Sequence, residues 1–331
     1  MSAEVRKDQG GLALVGDMGG TNARFGLVDL RSDPLRVFAA KSYLGREFRR
    51  PADAIKAYLG ELGMTCRLDG AVVAVAGPVE GGAISFTNSD WSLSCAELRD
   101  LGFGAAELVN DYAALAYAAP VLRDDDVRRV GPDVPLQADR TMAILGPGTG
   151  FGVSALARDG LAAVALATEG GHIAFAPGDE VEIEVLRILM ERYGRVSVER
   201  ILCGRGLSEL HQALLMIEGR ASSSMAQERI TEQALAGDQT CLRTVERFCA
   251  ILGAVAGDFA LGLGARGGVF IAGGIPPKVI GILERSDFRR RFEAKGRFES
   301  YMAGIPTRVI MRPHAALIGA AHSLQALLSK G

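Results

Sequence analysis

The chain has 331 residues, 48% hydrophobic and 23% charged, which is a globular composition and argues against disorder. Its formal net charge of −2 offers no polyanion-binding surface, so nucleic acid is not expected as a partner. Glycine is the anomaly: 42 residues, nearly twice the roughly 7% of average proteins, with only 12 prolines and no Gly-X-Y period, which excludes a collagen-like fibre. Many of these glycines are grouped, at 16/19/20/26, 77/81/82, 146/148/150/152, 170/171, 204/206, 262/264/267/268 and 273/274. Glycine is needed where a backbone takes positive φ or passes close to another group.

In chain order, the apolar run at 12–15 predicts a strand that enters a turn at Gly16-Asp17. A second strand at 24–28 follows Gly19-Gly20-Thr21-Asn22, so the unit reads as a β-hairpin. Residues 36–43 predict a third strand, and 52–62 a helix begun by Pro51. The continuous apolar run 71–76 reads as a strand buried on both faces. A further strand ends at 108–110, and Asp111 opens an alanine-rich helix that stops near Pro120. The second half repeats the logic. Strands are predicted at 141–145, 151–156 and 161–167, the first two joined by Gly146-Pro147-Gly148-Thr149-Gly150. Helices are predicted at 180–193, 207–217, 225–235 and 241–263, strands at 269–272 and 307–311, and a terminal helix at 315–328. Two hairpin starts, each followed by strands and helices, indicate an internally duplicated α/β architecture. The polar stretch 123–140 is the expected junction.

The five cysteines, Cys66, Cys95, Cys203, Cys241 and Cys249, are odd in number and form no C-x-x-C pair. Neither a zinc site nor a disulfide framework is expected; buried structural thiols in a reducing cytosol fit better. Residues 1–10 lack the apolar core of a signal peptide, and the weakly charged stretch 249–263 is too short for a membrane span.

The Gly16-Asp17-Met18-Gly19-Gly20-Thr21 segment has the composition of a backbone cradle for phosphate oxygens, with Asp17 placed to hold Mg²⁺ directly or through water. It is equally readable as a plain hairpin turn. The Gly148-Thr149-Gly150 turn is a second phosphate candidate, and it is not a Walker A loop. Two such hairpins, one per half, are more specific than either alone and suit a nucleotide held between the halves. Gly262-x-Gly264-x-x-Gly267 matches a dinucleotide fingerprint but follows a helix and precedes a strand, so a Rossmann site is not expected. Asn110-Asp111 sits at a strand's carboxyl end, where Asp111 reads either as a general base with Asn110 orienting a hydroxyl, or as a helix N-cap. Spacing alone favours the cap. Glu169-Gly170-Gly171-His172 pairs a carboxylate with an imidazole, suited to a polyhydroxylated substrate; a structural histidine is the alternative. His211, His314 and His322 lie in helical contexts and read as structural. Glu199, on spacing alone, reads as an exposed first-turn glutamate.

Seven segments in order resemble the bacterial ATP-dependent glucokinases: GDMGGTNARF (16–25), TNSDW (87–91), VNDYAA (109–114), GPGTGFG (146–152), EGGH (169–172), SVERILCGRGL (197–207) and GGVFIAGGI (267–275). The resemblance spans about residues 12–328. It implies a duplicated actin-like (ribonuclease H-like) ATPase fold of two domains with a cleft between them. The small domain would comprise residues 1–120 plus 312–331, the large one residues 121–311. It implies that Gly16 to Thr21 and Gly148 to Gly150 bind the phosphates of Mg-ATP, and that Gly273-Gly274 lies against adenosine. Asp111 becomes the base for the 6-hydroxyl of D-glucose, and Asn110, Glu169, His172 and Glu199 hold the other hydroxyls. The spacing-only readings of Asp111 and Glu199 are thereby reversed. A cytoplasmic homodimer that closes over glucose is part of the same expectation. Pro147, Cys203 and Arg205 depart from common residues of such relatives, and the cysteine-rich zinc motif of the related repressor group is missing. A kinase for another hexose or amino sugar, a non-catalytic sugar sensor, and an actin-like ATPase remain the alternatives.

Overall fold

The computed structural model describes residues 11–64, 68–86, 90–159, 162–221 and 224–328. Cys66 and the Thr87, Asn88 and Ser89 of the TNSDW segment lie outside these residues. The chain divides into two bodies, one made of residues up to Val121 and from Pro313 onward, the other of Leu122–Arg312.

The first body is built on strands β1 (Leu12–Met18), β2 (Asn22–Asp29), β3 (Val37–Leu44), β4 (Gly70–Val75) and β7 (Ala105–Asn110). Between β4 and β7 lie a short hairpin, β5 (Ala83–Ser85) and β6 (Ser92–Ser94), and helix α2 (Cys95–Asp100). Helix α1 (Pro51–Glu61) follows β3, and α3 (Asp111–Ala118) follows β7. The sheet order is β3-β2-β1-β4-β7. β1, β2 and β3 form an antiparallel meander, while β4 and β7 run parallel to β1. β4 is central and every one of its residues is buried, as its unbroken apolar run requires. α1 begins with Pro51 at its first position, where a missing N–H costs nothing.

The second body contains β8 (Val127–Arg129), β9 (Met142–Pro147), β10 (Phe151–Asp159), β11 (Ala162–Thr168), helices α4 (Glu180–Tyr193), α5 (Val198–Ile201), α6 (Gly204–Ile217), α7 (Gln227–Leu235) and α8 (Gln239–Leu263), then β12 (Gly268–Ile271). Short helices α9 (Ile280–Leu283), α10 (Phe288–Glu293) and α11 (Glu299–Ala303) lead to β13 (Thr307–Ile310). The sheet order is β11-β10-β9-β12-β13-β8. Its first five strands repeat the first sheet: an antiparallel meander, then two strands parallel to the first. β8 is an added antiparallel edge. The duplication expected from the two glycine-turned hairpins is therefore present strand for strand.

The last helix, α12 (Ala315–Leu328), returns to the first body. Its Leu317, Ala320, Ala321 and Leu324 bury Ala13, Val15, Val28 and Val72 of the sheet. Gly319 permits the approach, since a Cβ there would collide with the Ala114 carbonyl of α3.

Several boundaries differ from the sequence reading. β1 continues through Gly16, Asp17 and Met18, so these three lie in a strand and the turn proper is 19–21. Gly16 serves packing: a Cβ would stand 3.1 Å from Val73. α6 begins three residues earlier than its apolar period suggested, because the Cys203 Sγ accepts the Gly206 N–H at 3.2 Å and caps it. His314 is not helical; it precedes α12 with φ of 58°. Gly264 ends α8 in the left-handed conformation (φ +60°), so the Gly262 to Gly267 stretch joins a helix to a strand. No helix among the described residues is long and apolar enough to cross a membrane.

Candidate functional site

In the first body the functional candidates share one edge of the sheet. Parallel register aligns Met18, Val75 and Asn110 in one row. The 19–21 turn leaves this edge from β1, and Asp111 leaves it from β7. This is the carboxyl edge, where open α/β sheets bind ligands. Across two strand spacings, roughly 10 Å separates the two features.

The turn is pinned from both sides. The Gly19 N–H donates to the Asn22 carbonyl at 3.0 Å, and the Thr21 carbonyl accepts the Gly45 N–H at 2.8 Å. Gly20 and Thr21 are exposed. A Cβ on Gly19 would meet nothing within 4 Å, and its φ lies outside the positive range. The fold itself does not demand glycine there. Asp17, whose side chain is 18% exposed, accepts from Arg24 Nη1 at 3.1 Å through Oδ2. Sequence reasoning did not pick out Arg24. The signal was present, because a hairpin turning at 19–21 places residue 24 opposite residue 17.

At β7 the cap is Asn110, which corrects the spacing-only assignment to Asp111. Asn110 Oδ1 accepts the Tyr112 and Ala113 N–H groups at 3.0 and 3.2 Å. Its Nδ2 donates to the Gly77 carbonyl at 3.3 Å. Gly77 has φ of +150°, and Gly81 and Gly82 turn the chain between Glu80 and Ala83 with φ of 58° and 73°. These three glycines are therefore conformational. Asp111 opens α3 half-buried, with Oδ1 accepting the Tyr112 N–H at 2.9 Å.

In the second body the candidates again gather at one sheet edge. β9 ends at Pro147, β10 begins opposite it at Phe151, β11 ends at Thr168 opposite Val153, and β12 ends at Ile271 beside Leu145. Gly148-Thr149-Gly150, Glu169 and Gly273-Gly274 all follow these ends. Some of the glycines here are dictated by close approach. A Cβ on Gly146 would collide with the Ala272 carbonyl, one on Gly273 (φ +90°) with the Pro147 carbonyl, and one on Gly171 with the Phe151 carbonyl. Gly148 and Gly274 are different, with nothing within 4 Å of a Cβ and no positive φ.

Glu169 and His172 are exposed, with Glu169 Oε2 3.9 Å from His172 Nε2. Between them, Gly170 and Gly171 are buried against Phe259, Val153 and Phe151. Thr168 Oγ1 accepts the Gly170 N–H at 3.2 Å and donates to the Val153 carbonyl at 2.8 Å, fixing where the loop leaves β11. The chain beyond His172 runs beside 196–198, with the Val198 N–H donating to the Ile173 carbonyl at 3.0 Å. This brings α5 and Glu199 toward the strand edge. Glu199 is half-buried, and its Oε2 accepts the Phe151 N–H at 2.8 Å, which corrects the exposed-glutamate reading.

Of the departures, Cys203 caps α6 and burial pushes its thiol pKa up. Arg205 is exposed and donates to the Tyr193 hydroxyl at 3.1 Å. Cys241 and Cys249 are buried, with thiol pKa values pushed up by burial to about 11 and about 12. Among the described residues no group of three or more His, Cys, Asp and Glu side chains could hold a metal ion.

Two meanders with glycine turns at the carboxyl edge, each followed by two parallel strands, define the duplicated actin-like ATPase fold, and similarity to a 33% identical glucokinase structure places the chain among its sugar kinases. The family model described as Glucokinase matches residues 14–327, and the chain belongs to the glucokinase family. A glucokinase of Caulobacter sp. strain K31 is 54% identical over 94% of this chain and 94% of its own. The crystal structure of a glucokinase from an Antarctic psychrotroph superposes with a TM-score of 0.88 at 33% identity, covering 96% of this chain and all of that one. A ROK family glucokinase from Streptomyces griseus, solved with glucose and AMPPNP, shares the fold at a TM-score of 0.60 and 19% identity, covering 97% of this chain and 100% of its own.

Proposed function

We propose that the protein transfers the γ-phosphoryl group of ATP to the 6-hydroxyl of D-glucose, giving glucose 6-phosphate and ADP. The observation that carries this reading is the row Met18–Val75–Asn110, which sets a glycine turn open to ligand and the Asp111 carboxylate on one sheet edge. Family membership supports the substrate pair, as does the glucose and AMPPNP held by the S. griseus protein.

In this reading the 19–21 and 148–150 turns bind phosphate oxygens through backbone N–H groups. Gly19, Gly148 and Gly274 are glycine because the nucleotide, not the fold, needs the space. The 6-hydroxyl oxygen attacks the γ-phosphorus, the bond to the β-phosphate oxygen breaks, and the hydroxyl proton passes to Asp111. Asn110 holds the end of α3 through Oδ1 and keeps one N–H of its Nδ2 for a sugar hydroxyl. Glu169, His172 and Glu199 accept and donate to the remaining hydroxyls.

Asp17 is a single carboxylate, oriented by Arg24 through Oδ2, so a Mg²⁺ ion held there directly or through water would take most of its ligands from phosphates and water. Bound there, the ion would neutralise phosphate charge. A cytoplasmic homodimer with a small domain of residues 1–120 plus 312–331 completes the reading, and sedimentation of the purified chain tests the oligomer.

The test is ADP formation from ATP across a panel of hexoses and amino sugars. Glucose is expected to give the highest kcat/KM. A higher value for another sugar, or glucose-independent hydrolysis, overturns the assignment.

A further inference from the structure

The Gly148-Thr149-Gly150 turn is held at both ends by a single stretch of chain, residues 199–204. At one end the Gly148 carbonyl accepts the Gly204 N–H at 3.0 Å. At the other, Glu199 Oε2 accepts the Phe151 N–H, the first backbone donor after the turn, at 2.8 Å. The fit is close: a Cβ on Gly150 would stand 2.5 Å from the same Oε2. Gly204 is the first residue of α6 and follows its cap, Cys203, so one anchor is a helix end. The other is a side chain that can rotate.

We infer that Glu199 is a positioning residue for the nucleotide as well as a ligand of the sugar, and that its carboxylate couples the two. The inference rests on the proposed reading of the 148–150 turn and of Glu199. A carboxylate accepting a backbone N–H makes a charge-assisted bond, roughly twice as strong as a neutral one. With Oε2 on the Phe151 N–H, the carboxylate plane is set, and Oε1 meets the sugar hydroxyl at a defined angle. A sugar on Oε1 in turn stops the carboxylate from rotating away and leaves the turn fixed for phosphate. Binding of either substrate then favours the other, and by linkage the two effects are equal.

Titration calorimetry with AMPPNP and with glucose, each alone and each in the presence of the other, tests this. Glu199→Ala removes the brace, and the sugar-free Kd for AMPPNP is expected to rise by about tenfold. His172→Ala serves as control: it weakens glucose but leaves sugar-free AMPPNP binding within about twofold. Glu199→Gln keeps an acceptor oxygen for the Phe151 N–H, so it should restore AMPPNP binding while glucose binding stays weak. Gly150→Ala pushes against Oε2 without altering its chemistry and should raise the glucose Kd, although no role in sugar contact is assigned to Gly150. If the parent protein binds both ligands and neither Glu199→Ala nor Gly150→Ala changes the other substrate's affinity, the coupling is overturned and the kinase reading stands. If the parent binds neither AMPPNP nor glucose, both fall.

Discussion

The side-chain oxygen of Asn110 accepts the backbone N–H of Tyr112 at 3.0 Å. The Tyr112 N–H also reaches Asp111 Oδ1 at 2.9 Å, so it is the second bond to Asn110, from the Ala113 N–H at 3.2 Å, that makes Asn110 the cap and decides between the two roles open to Asp111. A helix start has orphan N–H groups that need an acceptor, and Asn110 supplies it for both Tyr112 and Ala113. Asp111→Ala is therefore expected to leave folding intact and glucose binding measurable, while turnover falls by about 10²–10⁴-fold. Asn110→Ala removes the cap and should cost about 1 kcal/mol of stability as well as activity. Thermal melts beside initial rates separate the two, and parent-level turnover in Asp111→Ala ends the role given to that residue.

The glycines divide by what surrounds them. Gly148→Ala and Gly274→Ala place a methyl in open space on an ordinary backbone and should melt within about 1 °C of the parent. Their KM for ATP should rise several-fold. Gly273→Ala forces a left-handed backbone and a collision with Pro147, a strain of about 1–3 kcal/mol or more. It should lose stability first. An unchanged KM for ATP in both of the first two variants would remove those turns from the nucleotide site.

This division explains what was readable in advance. The apolar runs and the two glycine hairpins carry the strands and the antiparallel start of each half, since a hairpin needs only a short turn and a buried strand only an unbroken apolar run; the order of the parallel strands rests on long crossovers that leave no local signal. Three-residue strands such as β5 and β8, and the four- to six-residue helices α5, α9 and α10, are too short to show a period. The roles of single glycines were hidden for a different reason. Gly146 and Gly148 look alike in sequence, and only the presence of the Ala272 carbonyl beside one of them tells them apart. The partner of Glu199 lies 48 positions away, beyond any local spacing rule. Asn110 and Asp111 are both competent caps, so backbone direction at the end of β7 had to choose.

His211 gives a pH dependence with a definite sign. It is buried in α6 with Nδ1 2.9 Å from Thr244 Oγ1, and burial lowers its pKa below the usual 6.5. The Thr244 hydroxyl donates to the Thr240 carbonyl, so it accepts from His211 Nδ1–H, a bond that either protonation state can make; burial is what favours the neutral ring. The unfolded chain then binds more protons than the folded one, and stability rises with pH. The stabilisation is complete above about pH 6.5 and is lost as pH falls toward the depressed folded value. His322, also lowered by burial, adds in the same direction. Lowered carboxylates such as Asp126 lose their contribution only below about pH 4. His211→Asn keeps the donor without the titration and should flatten the fall in Tm between pH 7 and 5. An equally steep fall in the variant would place the effect elsewhere.

Glu182 is the sharpest stability test, because it is fully buried among charges. Its Oε1 accepts from Arg247 and Arg291 at 3.2 and 2.9 Å, and its Oε2 from Arg291 and the Gly178 N–H at 2.8 and 2.7 Å. These bonds join α4 to α8 and α10. Asp179 caps α4 and pairs with the same two arginines. Truncating Glu182 leaves the buried Arg291 with the more distant Asp179, at 3.6 Å, in place of two hydrogen bonds to a fully buried carboxylate. Glu182→Ala should cost about 3–5 kcal/mol, seen as a fall in Tm of about 4–7 °C. None of these residues has a place at the sheet edge, so kcat at low temperature should hold. The arginine left behind is the source of the cost. Changing Arg291 to Met in the Glu182→Leu background should therefore recover much of the loss, with a coupling energy well above the 0.3–0.5 kcal/mol expected of independent sites. If the two changes simply add, packing and not charge explains the effect.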